Sequence, residues 1–146
     1  MRLGYKQVSP EGYKAFARVH QYVAQSGLEP ALVHLVYLRV SQLNGCAYCV
    51  DLHWRDALAE GVSPRKVNAV AAWEEAPFFS PRERAAFAWA ECLTRLAETK
   101  APDADYERAR LHFAEKELAD LTYAVALMNA FNRLGVGFRQ TPQGEA

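Results

Sequence analysis

Three Ser-Pro pairs divide the chain, and each pair has the form of a helix start. They are Ser9-Pro10, Ser63-Pro64 and Ser80-Pro81. Serine caps the free backbone N–H groups at a helix start, and proline at the first helical position has no N–H to leave unpaired. No segment shows strand alternation with hairpin turns. The chain is therefore predicted to be all-α, a single domain over residues 1–146 with about six or seven helices.

Glycine and asparagine mark the ends of several predicted helices. Asn44-Gly45 has the form of a left-handed helix stop, and Asp103 is expected to cap a short helix. The last long segment is apolar around much of its circumference, which predicts a central place in the core or in a subunit contact. Helices are predicted over about residues 10–27, 31–43, 46–61, 65–73, 82–98, 103–113 and 116–134.

The charge balance argues against two classes of partner. Lysine plus arginine and aspartate plus glutamate number 17 each, so no net positive charge favours nucleic acid or an anionic membrane surface. No apolar run is long enough to span a bilayer. Residues 1–14 lack the hydrophobic stretch of a signal peptide. The cytoplasm, where thiols are kept reduced, is therefore the expected compartment.

Two of the three cysteines lie close together in the sequence. Cys46 and Cys49 stand at the start of a predicted helix, and His53 follows four residues later. At about 100° per residue, the three side chains share one face of that helix. The helical rise puts Cys49 roughly 6 Å and Cys46 roughly 10 Å from His53 along the axis. The sequence thus predicts a redox-active cysteine pair in which His53 activates Cys49.

Thiol chemistry assigns a role to each of these residues. The thiolate is the reactive form, and a free thiol is mostly protonated at neutral pH. The His53 imidazole can take the proton of Cys49, and unpaired N–H groups at the helix start favour a thiolate. Once Cys49 is oxidised to a sulfenic acid, Cys46 is close enough to form a disulfide. Tyr48 either contributes its hydroxyl or packs, and no organic cofactor is required.

Other interpretations of the cysteine pair remain open. The two residues can be small buried side chains without chemistry. Alternatively, Cys46, Cys49 and His53 can bind zinc with His34 as a fourth ligand. The protein would then be a non-enzymatic zinc-binding or redox-sensing module. Cys92 lies at helical spacing among apolar residues and is predicted to be a core thiol.

The segment around the cysteines resembles a known family. It is similar to the alkylhydroperoxidase D-like members of the carboxymuconolactone decarboxylase family, whose signature ends in Cys-x-Tyr-Cys and a histidine four residues on. The helical pattern over about residues 30–138 also fits the all-α fold of that family. The matching positions are Leu38, Arg39, Ser41, Gln42, Asn44, Cys46, Tyr48, Cys49 and His53.

The resemblance implies an activity. In that family the second cysteine attacks a hydroperoxide and the first resolves the product, which would be Cys49 and Cys46 here. His53 would belong to a proton relay. An external dithiol of the lipoyl or thioredoxin type would reduce the disulfide, and the protein would be a homo-oligomer, a trimer or a hexamer. A decarboxylase or lactone-processing activity, typical of another branch, is the third possibility, although that branch generally lacks this cysteine pair.

One position departs from the family pattern. The relay glutamate of the family lies twelve residues before the first cysteine, and this chain has His34 there. If the two helices fold back at Asn44-Gly45, His34 is expected to lie level with His53. A histidine cannot stabilise a protonated neighbour as a carboxylate does, but it can pass a proton as a neutral partner. We expect weaker or differently tuned peroxidase activity, or a different substrate.

Overall fold

The structure of the protein is a computed structural model that describes residues 1–144. These residues form nine α-helices and one 3-10 helix, Ala69–Ala72. No strand occurs among them, which confirms the all-α prediction. The α-helices are α1 (Tyr5–Val8), α2 (Pro10–Ala24), α3 (Pro30–Asn44), α4 (Ala47–Ala59), α5 (Pro64–Asn68), α6 (Pro81–Thr94), α7 (Leu96–Thr99), α8 (Asp103–Arg110) and α9 (Glu115–Gly137).

The Ser-Pro pairs begin helices as predicted, although only two of the serines act as caps. The Ser63 hydroxyl accepts a hydrogen bond from the Lys66 N–H at 3.3 Å. Ser80 and Glu83 bond each other's backbone N–H groups in a capping box. The Ser9 side chain makes no capping hydrogen bond. Its backbone N–H instead closes the preceding short helix α1, which the sequence analysis did not predict.

The helix predicted over residues 82–98 is interrupted, because α6 ends at Thr94 and α7 is a separate short turn. The Thr99 hydroxyl donates to the Cys92 carbonyl at 2.7 Å and accepts from the Ala101 N–H at 3.3 Å. A side chain that bonds nearby backbone groups competes with the helical hydrogen bonds. The Thr99 bonds therefore favour the interruption.

Two further boundaries differ from the predictions. The helix predicted over residues 65–73 is α-helical only to Asn68 and then tightens into the 3-10 helix. Asp103 does not cap α8. Pro102 occupies the N-cap position with an extended backbone, and Asp103 is the first helical residue. An acidic side chain in the first turn still interacts favourably with the helix dipole.

The longest helix, α9, runs through the core, as predicted. Its inner positions include the fully buried Leu121, Ala124 and Val125. It packs against α2, α3 and α6, while α3 packs against α4, α6 and α9. Among residues 1–144, no helix is both long and apolar enough to cross a bilayer.

A tight corner joins α3 to α4 and positions the residues of the predicted site. Gly45 ends α3 in the left-handed conformation, with φ +67°, which glycine adopts without the steric penalty of a side chain. The Gly45 N–H bonds the Gln42 carbonyl at 3.3 Å, and the Cys46 N–H bonds the Ser41 carbonyl at 3.0 Å. The two helices therefore fold back on each other, and the next helix begins immediately.

Candidate functional site

Cys46 and Cys49 form a disulfide at the start of α4. Their Cα atoms are 5.3 Å apart. Cys46 is the N-cap rather than the first helical residue, and its sulfur accepts a hydrogen bond from the Cys49 N–H at 3.4 Å. The predicted proximity of the two sulfurs is confirmed.

The two sulfurs differ in their access to a cavity. A cavity of about 220 Å³, which we call the cysteine cavity, is lined by Cys49 and not by Cys46. Both cysteines are buried, with Cys46 1% and Cys49 5% exposed. The lining also includes Tyr5, Tyr13, Tyr48, Leu52, His53, Met128 and Phe131. A molecule that enters this mostly apolar and aromatic cavity meets Cys49 first.

The N-terminal segment and the end of the chain close one side of the cysteine cavity. The Tyr5 hydroxyl donates to the Gln140 side-chain oxygen at 2.9 Å, and both residues line the cavity. The Tyr5 ring also stacks on Phe138, with ring centroids 5.4 Å apart. The Arg2 N–H bonds the Phe138 carbonyl at 2.7 Å. Residues that the sequence analysis left without a role thus form a wall of the cavity.

Gly135 lets α9 approach the disulfide closely. A Cβ atom at this position would lie 2.9 Å from the Cys46 sulfur and 3.7 Å from the Cys49 sulfur. The sequence predicts that the last helix ends near residue 134, before this glycine. Instead, Gly135 is a helical residue of α9. Its lack of a side chain provides the space that the disulfide occupies.

His53 lies in α4 and is 4% exposed. It lines the cysteine cavity together with Cys49, as its position one turn further along α4 predicts. In this disulfide form, no hydrogen bond among residues 1–144 joins His53 to Cys49. Burial and the neighbouring His34 and His20 lower the pKa of His53 to about 3. The ring is therefore neutral at physiological pH and, beside the uncharged disulfide, is a weak base.

His34 lies on α3 beside His53, as the fold-back at Asn44-Gly45 predicts. The two rings have centroids 5.7 Å apart. Burial lowers the pKa of His34, and the nearby carboxylates of Asp56 and Glu60 only partly oppose this effect. Two neutral imidazoles avoid the repulsion that two imidazolium ions would have at this distance.

Asp56 is a third member of this cluster, and the sequence analysis missed it. One of its carboxylate oxygens lies 3.4 Å from His53 Nδ1 and 3.7 Å from His34 Nδ1. Neither nitrogen has a hydrogen-bond partner in the described part of the chain. The available signal was spacing, because Asp56 follows His53 by three residues and so shares its helix face. The relay position on α3 holds His34 in this chain. The carboxylate near His53 comes instead from Asp56 on α4.

Two tyrosines flank the cluster. Tyr48 lines the cysteine cavity and is half-buried. Tyr37, which the sequence analysis did not single out, is 1% exposed, and its ring centroid lies 4.9 Å from that of His53. Its hydroxyl has no hydrogen-bond partner in the described residues, and burial raises its pKa. Tyr37 thus forms part of the apolar packing that keeps the His53 ring out of water.

Several residues of the segment that resembles the family form hydrogen bonds that fix the backbone before the cysteines. The Asn44 side chain donates to the amide oxygens of Asn129 and Asn132 at 3.0 and 2.9 Å. Asn132 in turn donates to the Ser41 hydroxyl at 3.0 Å. Because these buried polar groups bond one another, the end of α3 is tied to α9 directly before Cys46.

The partner of Arg39 also becomes clear from the structure. Its guanidinium bonds the Glu91 carboxylate at 2.7 Å, and the same carboxylate accepts from the Trp73 indole N–H at 2.7 Å. The Arg39 and Glu91 side chains are 13% and 15% exposed, so water screens this pair less than a surface pair. Arg39 therefore holds α3 to α6, outside the cysteine cavity. Cys92 is buried as predicted.

Comparison with known sequences identifies the family. The sequence profile of the carboxymuconolactone decarboxylase family matches residues 10–91. The uncharacterized protein YdfG of Bacillus subtilis (strain 168) is 35% identical over 135 residues, which is 92% of both chains. The uncharacterized protein YnjA of Escherichia coli (strain K12) is 32% identical over 120 residues, 82% of this chain and 65% of YnjA. The chain belongs to the carboxymuconolactone decarboxylase family.

Solved structures place it more narrowly within that family. An Agrobacterium tumefaciens protein of unknown function, described as a candidate antioxidant defence protein AhpD, has a TM-score of 0.95 and 40% identity over 99% of both chains. An uncharacterized peroxidase-related protein from Ralstonia eutropha JMP134, with an alkylhydroperoxidase AhpD core, has a TM-score of 0.84. At 23% identity over 94% of this chain and 74% of its own, it supports the fold alone. The protein is AhpD-like, which confirms the resemblance and the predicted fold.

Proposed function

We propose that the protein is a thiol peroxidase that reduces hydroperoxides with the Cys46–Cys49 pair. The observation that carries this proposal is that only one of the two cysteines lines the cysteine cavity. Cys49 lines that cavity and the more deeply buried Cys46 does not, yet the two are close enough to form a disulfide. An attacking thiol needs access to the substrate, whereas a resolving thiol needs only access to its partner.

The reaction balances over three steps. The Cys49 thiolate attacks one peroxide oxygen, so that the O–O bond breaks, an alcohol leaves with a proton, and Cys49 becomes a sulfenic acid. The Cys46 thiol then displaces hydroxide from that sulfur, which forms the disulfide and releases water. An external dithiol reduces the disulfide by thiol exchange and is itself oxidised. Two electrons pass from the dithiol to the peroxide, and no organic cofactor takes part.

His53 is the proposed proton acceptor for Cys49. The low pKa of His53 belongs to the disulfide form, in which no cysteine thiolate faces the ring. Reduction and ionisation of Cys49 place a thiolate in the same cavity, and an opposite charge nearby favours the imidazolium. The Asp56 carboxylate, 3.4 Å from Nδ1, adds to this effect. His34 and Tyr48 are proposed as neutral neighbours that pass or orient the proton.

The proposed partners follow from the chemistry of the disulfide. A small dithiol of the lipoyl type, or a thioredoxin-type protein, would attack the Cys49 sulfur, which lines the cysteine cavity. Such donors are maintained in the cytoplasm, which is the proposed compartment. By resemblance to the family we propose a homo-oligomer, either a trimer or a hexamer. Exposed Val19, Tyr22 and Tyr123 form an apolar surface that suits a subunit contact.

A steady-state assay tests the proposal. Reduced protein is supplied with dihydrolipoamide and cumene hydroperoxide, and peroxide loss is followed over many turnovers. We expect Cys49→Ser to abolish turnover and Cys46→Ser to reduce it by about 100-fold or more, because the resolving step is lost. Cys92→Ser, which changes a buried cysteine outside the pair, is the matched control and should retain activity. A protein that oxidises once and never turns over would instead be a redox sensor.

A further inference from the structure

The cluster of His34, His53 and Asp56 has a geometry that proton transfer alone does not explain. Each residue offers one ligand-type atom, and these three atoms lie within 4.8 Å of one another. The two histidine Nδ1 atoms have no hydrogen-bond partner in the described part of the chain. The His53 side chain is only 5% exposed. A buried polar atom without a partner costs free energy unless something else binds it.

The spacing of the three atoms fits a small divalent cation. Zinc binds histidine nitrogen and carboxylate oxygen at about 2.0–2.1 Å, so two ligand atoms on a tetrahedral ion are about 3.3 Å apart. The Asp56 oxygen lies 3.4 Å from His53 Nδ1 and 3.7 Å from His34 Nδ1. These separations are longer than good N–H···O hydrogen bonds. The two separations are close to that tetrahedral edge, and the ligand atoms of the two histidines lie within 4.8 Å of each other.

The chemistry of the donors selects the kind of ion. Two imidazole nitrogens and one carboxylate oxygen suit zinc and similar transition metals, whereas magnesium and calcium prefer oxygen ligands. The Asp56 carboxylate provides negative charge at the centre, and Glu60 carries a second carboxylate one turn along α4. A positive ion is therefore attracted to this position.

A second cavity gives the ion a way in. It has a volume of about 220 Å³, and its lining includes His34, Tyr37 and Glu60. Asp56 is also 36% exposed at its side chain. His34 and Asp56 are thus reachable from the solvent, whereas the His53 side chain is buried. A water molecule can enter by the same route and complete the coordination.

We propose that His34, His53 and Asp56 form a binding site for a zinc-like divalent cation, with the fourth position left to water. Neither cysteine is a ligand, so this site differs from a Cys46, Cys49 and His53 set and persists when the disulfide is formed. A bound ion occupies a ring nitrogen of His53. If the proposed peroxidase function holds, the ion therefore withdraws His53 from proton transfer and inhibits turnover.

Metal binding by the oxidised protein tests the site independently of activity. The disulfide form, stripped with chelator, is titrated with Zn²⁺ alone in a calorimeter, and bound zinc is counted after dialysis. We expect one zinc per chain. Asp56→Asn and His34→Ala should each weaken binding by about tenfold or more, because each removes a ligand. Asp51→Asn on the same helix and His112→Ala elsewhere are matched controls and should bind as the wild type does.

Cobalt provides a second readout. Co²⁺ bound to the wild type should show the visible absorption of a four-coordinate site, and this absorption should disappear in Asp56→Asn protein that melts as a folded chain. Absence of saturable zinc binding, or equal binding by wild type, Asp56→Asn and His34→Ala, would overturn the proposal. Cys49→Ser separates the two proposals, since it should lose peroxidase activity and keep the zinc.

Discussion

At the scale of single residues, Gly135 is the position where one added methyl group would collide with the disulfide. The nearest atom to an added Cβ is the Cys46 sulfur at 2.9 Å, a separation that real side chains avoid. Cys46 is 1% exposed, so its sulfur has little room to move away from an added methyl group. The two cysteines of the disulfide were recognisable from the sequence. The glycine that makes room for them was not, because it lies 86 residues after Cys49 and only folding brings it there.

We expect Gly135→Ala to destabilise the oxidised protein by about 1–3 kcal/mol, the usual cost of overpacking a filled core. Gly137→Ala is the matched control on the same helix, since nothing lies within 4 Å of a Cβ there. Alanine favours a helix over glycine by up to about 1 kcal/mol, so the control should be neutral or stabilising. Urea unfolding measures both variants. Equal midpoints would show that α9 does not press on the disulfide.

A second prediction at this scale concerns His53. Reduced protein is alkylated at pH 7, and labelling of Cys49 is followed by mass spectrometry. We expect His53→Gln to slow labelling by about tenfold, because less of Cys49 is ionised without the imidazole. His112→Gln, a histidine outside both cavities, should label at the wild-type rate. If His53→Gln labels as fast as the wild type, His53 does not activate the thiol.

At the scale of helices, local signals predicted the starts better than the interruptions. Ser63-Pro64 and Ser80-Pro81 begin α5 and α6 as expected, because capping acts within one turn. The break after Thr94 depends on the Thr99 hydroxyl, which folds back onto the Cys92 carbonyl. Such a bond competes with the hydrogen bonds of a continuous helix. Sequence periodicity alone does not decide between them.

The site shows the same division between local and long-range information. Cys46, Cys49 and His53 share one helix, so their common face followed from helical geometry. His34 came into position through the stop at Gly45, which the sequence also indicated. Helical geometry also puts Asp56 on the face of His53, but Asp56 belongs to no recognisable sequence motif. The cavity wall from α1 and the chain end required tertiary contacts that no local pattern records.

At the scale of the whole molecule, one buried carboxylate joins α2 to the central helix α9. Asp120 is 1% exposed. It accepts hydrogen bonds from the Tyr22 hydroxyl at 2.7 Å and from the Lys116 ammonium at 2.6 Å. Because α2 also contributes Tyr13 to the wall of the cysteine cavity, this link anchors the helix that carries part of that wall.

This carboxylate gives the fold a predictable dependence on acid. Burial alone would raise the pKa of Asp120, but the bonds from Lys116 and Tyr22 outweigh it and hold the pKa below 3.8. The unfolded chain then binds the proton more readily, so this stabilisation is complete above about pH 4 and is lost as the pH falls further. Asp120→Asn should cost about 1–2 kcal/mol at pH 7 and less at pH 3.

Unfolding in urea at the two pH values measures the effect. Asp51→Asn, whose carboxylate is paired with Arg55 at the surface, should change stability by less than about 0.5 kcal/mol at both. A cost for Asp120→Asn that stays constant from pH 7 to pH 3 would mean that the charge of Asp120 does not contribute to stability.

The central claim is that Cys49 meets the oxidant and Cys46 completes the disulfide. Its most direct test adds one equivalent of cumene hydroperoxide to fully reduced protein and maps every thiol by mass spectrometry, with a sulfenic acid trap present. We predict a Cys46–Cys49 disulfide and an unmodified Cys92 in the wild type. Cys46→Ser protein should carry a trapped sulfenic acid at Cys49, and Cys49→Ser protein should carry none. Trapped sulfenic acid at Cys46 in Cys49→Ser protein, formed as fast as the wild type oxidises, would contradict the assignment.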